Sequence, residues 1–166
     1  MKAVLAACLA LVAAASAVRA EEGTVRLHAA GSLRPALTEI MRAFTAAHGI
    51  RVEAAFGASG LLRERLVAGE PGGVHASADM APLALARDGK AGPVVLFARN
   101  RLCAIARPGR QAVDLPPELA VGAEHGLTVL RAADPGTALP LAMHVLSPDG
   151  QAILARHGFD APLAPR

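Results

Sequence analysis

The chain has 166 residues, 53% of them hydrophobic, with 17 Lys and Arg against 14 Asp and Glu, two cysteines and no Trp or Tyr. A formal charge of +3 gives no electrostatic case for a nucleic-acid partner, and the absence of Trp and Tyr removes the usual platform for stacked bases. Two cysteines are too few for a disulfide-framed scaffold.

The first twenty residues read as an export signal. Lys2 supplies the positive start, 3–15 is apolar, and Val18-Arg19-Ala20 is a small-residue cleavage pattern. Glu21 is then the first mature residue, and loss of Lys2 and Arg19 leaves 15 basic against 14 acidic side chains. A membrane span needs about 20 apolar residues, more than this segment offers. Leu5-Ala6-Ala7-Cys8 has the form of a lipoprotein box, but the apolar run before Cys8 is too short, so no lipid anchor is expected there. Cys8 leaves with the signal. Cys103, in the apolar run Leu102-Cys103-Ala104-Ile105-Ala106, remains as an unpaired core residue.

In the mature chain, 24–30 reads as a buried strand and Ser32 as the cap of a helix running to about His48. Leu37, Ile40, Met41 and Phe44 form its apolar stripe, and Gly49 ends it. A strand over 50–56, a helix over 61–68, a strand over 74–78 and a helix over 81–88 follow, the last with Asp79 as its expected cap. This alternation indicates an α/β fold with a mostly parallel sheet flanked by helices. Strands are next expected at 94–98 and 102–107, separated by Arg99-Asn100-Arg101, then at 119–121 and 126–130. Helices over 138–146 and 148–157 close the chain, the second with Ser147 as N-cap, Pro148 at its first position and Gly158 as C-cap.

Two junctions place serine beside glycine where a strand hands over to a helix: Ala29-Ala30-Gly31-Ser32-Leu33 and Phe56-Gly57-Ala58-Ser59-Gly60-Leu61. Helix starts carry unpaired N–H groups and partial positive charge, and glycine permits close approach of a ligand. In open α/β sheets ligands bind beyond the carboxyl ends of the strands, where both junctions fall. Ser32 and Ser59 are therefore candidate anion donors, with plain helix capping as the competing role. His75, Ser77 and Asp79 alternate on one expected strand, but same-face neighbours on a strand lie about 6–7 Å apart, too far for a proton relay. His28, His75 and His125 show no metal-ligand spacing. No catalytic residues, metal ligands or cofactor are expected.

Taken in order, Ala29-Ala30-Gly31-Ser32-Leu33, Phe56-Gly57-Ala58-Ser59-Gly60-Leu61-Leu62, Ala68-Gly69-Glu70-Pro71, Ala76-Ser77-Ala78-Asp79 and Leu146-Ser147-Pro148-Asp149-Gly150-Gln151-Ala152-Ile153-Leu154 resemble the periplasmic molybdate-binding protein of an ABC uptake system. The resemblance implies a type 2 periplasmic binding protein fold of two lobes closing on molybdate or tungstate. It implies oxyanion contacts from Ser32 and Ser59, a permease subunit as partner, a periplasmic location and a monomer. Gly73 and His75 depart from the family pattern, which favours an acidic and an aromatic residue there. A larger departure is length: the segment after Arg107 passes almost directly into what resembles the return to the first lobe. The resulting division is signal peptide 1–20, first lobe 21–98, crossover and truncated second-lobe remnant 99–124, and first lobe again 125–166. Function is then expected to be oxyanion delivery impaired by an internal deletion. Alternatives are another oxyanion such as sulfate, or an exported protein-interaction remnant without ligand.

Overall fold

A computed structural model describes residues 23–80, 82–101, 122–160 and 162. The signal segment, Cys8, Cys103 and the strands expected at 102–107 and 119–121 lie outside the described residues.

β1 (Thr24–Ala30) has its expected bounds and sends Val25, Leu27 and Ala29 into the main core. One turn of 3-10 helix, Gly31–Leu33, then leads into α1 (Arg34–His48), which buries Ala36, Leu37, Ile40 and Phe44. Gly49 closes α1 at φ 69°, a left-handed conformation that favours glycine. Next come β2 (Arg51–Gly57), α2 (Ser59–Val67), the short β3 (Val74–Ala76) and α3 (Pro82–Arg87). The remaining elements are β4 (Val95–Arg101), β5 (Gly122–Val129), α4 (Pro135–Leu146) and α5 (Pro148–Arg156).

The five strands form one sheet in the order β2-β1-β3-β5-β4. β1 pairs in parallel with β2 and β3, whereas β5 runs antiparallel to both β3 and β4. The α/β fold flanked by helices stands as expected, but the sheet is mixed and not mostly parallel, with two parallel and two antiparallel strand pairs. β4 continues through Arg99-Asn100-Arg101, the expected break, because those residues pair with Glu124, Ala123 and Gly122 of β5. The Arg99 guanidinium donates to Glu124 Oε1 at 3.1 Å. On its outer edge, Arg99 also exchanges backbone hydrogen bonds of 2.8 Å with Asp160.

The main core gathers Phe44, Leu141 and Leu154 from α1, α4 and α5 against one face of the sheet, with Phe97 from β4. A smaller cluster of Leu66, Leu85, Ala91 and Leu130 lies with α2 and α3 on the other side. α4 begins earlier than its apolar pattern indicates, since Asp134 Oδ1 accepts the Gly136 N–H at 3.1 Å and Pro135 takes the first position. Ser147 caps α5 as expected, its hydroxyl accepting the Gly150 N–H at 3.2 Å. Gly150 has a second role: a Cβ there would sit 2.3 Å from the His144 carbonyl oxygen, so only glycine lets α5 turn back this tightly onto α4.

Candidate functional site

The register between the first two strands pairs Ala30 with Gly57. Ser32 and Ser59 each lie two residues beyond that pair, so the two junctions end up side by side at the carboxyl edge of the sheet. β3, paired on the other side of β1, delivers residues 77–80 to the same edge.

Neither serine is a helix cap. The cap of α1 is Leu33 and the cap of α2 is Ala58, and neither helix start has a side-chain cap bond. Ser32 is exposed within the 3-10 turn. Ser59 is half-buried as the first residue of α2, and its Oγ accepts the Ala78 N–H at 3.1 Å. That bond ties the ends of β2 and β3 across β1. A hydroxyl accepts through lone pairs and donates through one proton, so this proton remains available for a further acceptor. The Ala78 N–H is the contribution that sequence reasoning missed, because a backbone donor leaves no mark in residue type.

Arg34 adds positive charge near this edge. Its guanidinium lies 4.5 Å from the centroid of the Phe56 ring, one residue before the end of β2.

Ser77 and Asp79 correct the relay reading. The strand ends at Ala76, so Asp79 folds back in a turn and its Oδ1 accepts the Ser77 hydroxyl at 2.6 Å, instead of lying 6–7 Å away as on an extended strand. Asp79 stands three residues ahead of α3. Backbone bonds from Ser77 N to Gly126 O and from Gly126 N to Asp79 O fix this turn to β5. His75 stays out of the pair: it is fully buried and its Nδ1 shares a hydrogen bond of 3.1 Å with the His28 carbonyl. Burial pushes the His75 imidazole below its ordinary pKa, as it does for His125.

His28 shares a 3.0 Å hydrogen bond through Nε2 with Glu70, whose carboxylate is also held by Arg65 at 2.5 and 2.6 Å. Those two partners, Arg65 foremost, lower the Glu70 pKa to about 2. Gly73, one of the departures from the family pattern, has no room for a side chain: a Cβ would lie 2.7 Å from Val25 Cγ2 and 2.9 Å from the Arg26 carbonyl. Among the described residues no group of three or more His, Cys, Asp or Glu comes together to hold a metal ion. A cleft of about 470 Å³ between Leu66, Leu85 and Leu130 lies at the opposite end of the sheet, and neither serine lines it. No described helix is long and apolar enough to cross a membrane.

Among solved structures, the periplasmic molybdate-binding protein of Azotobacter vinelandii is similar at 13% identity and a TM-score of 0.71, over 83% of this chain and 99% of that one. A sulfate-binding protein from Mycobacterium tuberculosis is similar at 13% identity and 0.62, over 84% and 87%. Iron-bound HitA from Pseudomonas aeruginosa is similar at 15% identity and 0.65, over 81% and 84%. At such identities the likeness establishes the fold. No curated protein matches the sequence. Residues 25–112, more than half of the chain, match the family described as bacterial extracellular solute-binding proteins, and the chain belongs to that family.

Proposed function

We propose that this chain is a periplasmic binding protein, not an enzyme, that holds molybdate or tungstate through Ser32 and Ser59 and passes it to the permease subunit of an ABC transporter. The observation that carries this reading is the placement of two serines, neither spent on capping, beyond paired residues at the ends of adjacent parallel strands. Neutral donors suit an anion that must be released: a hydrogen bond to a charged group contributes about 1.5–3 kcal/mol, so several offset desolvation without an ion pair. The molybdate-binding neighbour supports the choice of ligand. The sulfate-binding neighbour keeps sulfate as the alternative.

The site is weak in this reading. Only 20 residues separate Arg101 from Gly122, far fewer than the ~40 below which a unit rarely forms its own core. If a facing lobe would add about three hydrogen bonds, its loss costs about 5–9 kcal/mol, or on the order of a thousandfold to a millionfold in affinity. Calorimetric titration of residues 21–166 with molybdate, tungstate and sulfate tests this. Molybdate and tungstate should bind with Kd above about 1 μM, and sulfate more weakly. Submicromolar molybdate binding would refute the impaired site; tighter binding of sulfate would transfer the assignment to sulfate; no binding of any of the three would remove it.

A further inference from the structure

We propose that the cleft between α2, α3 and the end of β5 is a second ligand site, which takes a small amphipathic carboxylate: an apolar body among Leu66, Leu85 and Leu130, and a carboxylate between Lys90 and Arg131. The cleft measures about 470 Å³. Concave sites that enclose small molecules span about 300–1,000 Å³ and are mostly apolar with a few polar groups. The serine junctions lie at the other end of the sheet and bind by different chemistry, so this site stands apart from the oxyanion reading.

Two helix ends make the cleft. α2 stops at Val67 and α3 at Arg87, and the chain leaves them through Gly69 at φ 96° and Gly89 at φ 69°. Leu66 and Leu85, buried on the last turns of these helices, meet Leu130 just beyond β5. Gly72 completes the apolar floor, since a Cβ there would lie 2.7 Å from Leu130 Cδ1 and 2.8 Å from Leu66 Cδ2. The Arg131 N–H donates to the Lys90 carbonyl at 3.0 Å, which sets those two residues side by side at the rim. Lys90 Nζ donates to the Val67 carbonyl at 2.6 Å, a neutral acceptor that holds the ammonium without cancelling its charge. Among the described residues the exposed Arg131 side chain has no partner. The acidic groups nearby are engaged or line another surface. Glu70 is bonded by Arg65 and His28, Asp134 accepts from Gly136 and Thr137 at the start of α4, and Glu64 and Asp88 line a separate groove with Arg63. An apolar floor under two cations, one of them an unpaired guanidinium fork, is complementary to a carboxylate on an apolar body.

Titration of residues 21–166 with 4-phenylbutyrate, followed by nuclear magnetic resonance of the leucine methyl groups, tests the site. The methyl signals of Leu66, Leu85 and Leu130 should shift together, with one molecule bound per chain and Kd below about 1 mM. The amide 4-phenylbutyramide has the same body without the charge and should bind about threefold more weakly, or worse. Arg131→Gln should weaken phenylbutyrate by about threefold to tenfold at unchanged Tm, because the folded chain loses no described side-chain contact. Arg42→Gln, exposed on α1 across the sheet, should change nothing. Saturating molybdate should leave the titration as it is. No shift of the three methyl signals, shifts confined to methyl groups outside the cleft, equal affinity for acid and amide, unchanged binding by Arg131→Gln, or displacement by molybdate would each overturn the proposal. Failure of molybdate to bind would remove the oxyanion reading and leave this site standing.

Discussion

Ser32→Ala and Ser59→Ala remove the same hydroxyl but are expected to differ in stability, which separates a ligand role from a structural one. Ser32 is exposed and caps neither the 3-10 turn nor α1, so its loss takes away one donor to the anion and nothing else. A hydrogen bond to a charged group is worth about 1.5–3 kcal/mol, which raises Kd by about 10- to 150-fold with Tm unchanged. Ser59→Ala removes an equal donor and also the acceptor of the Ala78 N–H. A half-buried N–H left without its partner costs about 1–2 kcal/mol, which in a domain of this size lowers Tm by about 2–8 °C. Titration calorimetry and thermal unfolding on both variants measure the two effects. If Ser32→Ala left Kd unchanged, or lowered Tm as far as Ser59→Ala, the assignment of Ser32 as an anion donor would be wrong.

Other consequences are as direct. Gly150→Ala should cost about 3 kcal/mol or more, because the new Cβ meets backbone oxygens of His144 and Val145 at 2.3 and 2.6 Å; an unchanged denaturation midpoint would show that α4 and α5 can separate freely. Gly73→Ala should cost about 1–3 kcal/mol through contact with Val25 and the Arg26 carbonyl, read as a Tm several degrees lower. Burial holds His75, His125 and His144 below the ordinary 6.5, so the unfolded chain takes up protons that the folded chain refuses. Stability from these groups is whole above about pH 6.5 and declines as pH falls through that value toward the lower folded pKa values. Urea midpoints should therefore drop between about pH 7.5 and about pH 5.5, and a flat profile would count against neutral buried imidazoles.

The parts of the fold carried by local patterns could be read in advance. The bounds of β1, the stripe Leu37-Ile40-Phe44 on α1, the Gly49 stop and the Ser147-Pro148 start of α5 all follow from periodicity and cap chemistry within one or two turns of chain. What escaped is set by distant partners. Arg99-Asn100-Arg101 looked like a break and is strand, because β5 supplies an antiparallel partner and Glu124 a counter-charge. Ser32 looked like a cap, and capping was the competing role for Ser59; a 3-10 turn and an early helix start shift the cap positions to Leu33 and Ala58. Asp79 looked too far from Ser77, since alternation assumes an extended chain that in fact stops at Ala76. The candidate site was legible as two serines with glycine neighbours. The bond that links Ser59 to Ala78 depends on strand order, which no local pattern specifies.

The ladder of β4 and β5 pairs Arg101 directly with Gly122, so the two ends of the intervening segment stand about one strand spacing, roughly 5 Å, apart. The folded sheet thus already holds shut whatever loop joins them. Closure entropy grows only logarithmically, by about 0.6 kcal/mol per doubling, so extending 20 residues to about 120 costs about 1.5 kcal/mol. That makes this junction a splice point: a self-folding domain with adjacent termini could be grafted between Arg101 and Gly122, or removed, with little cost to the lobe that carries it.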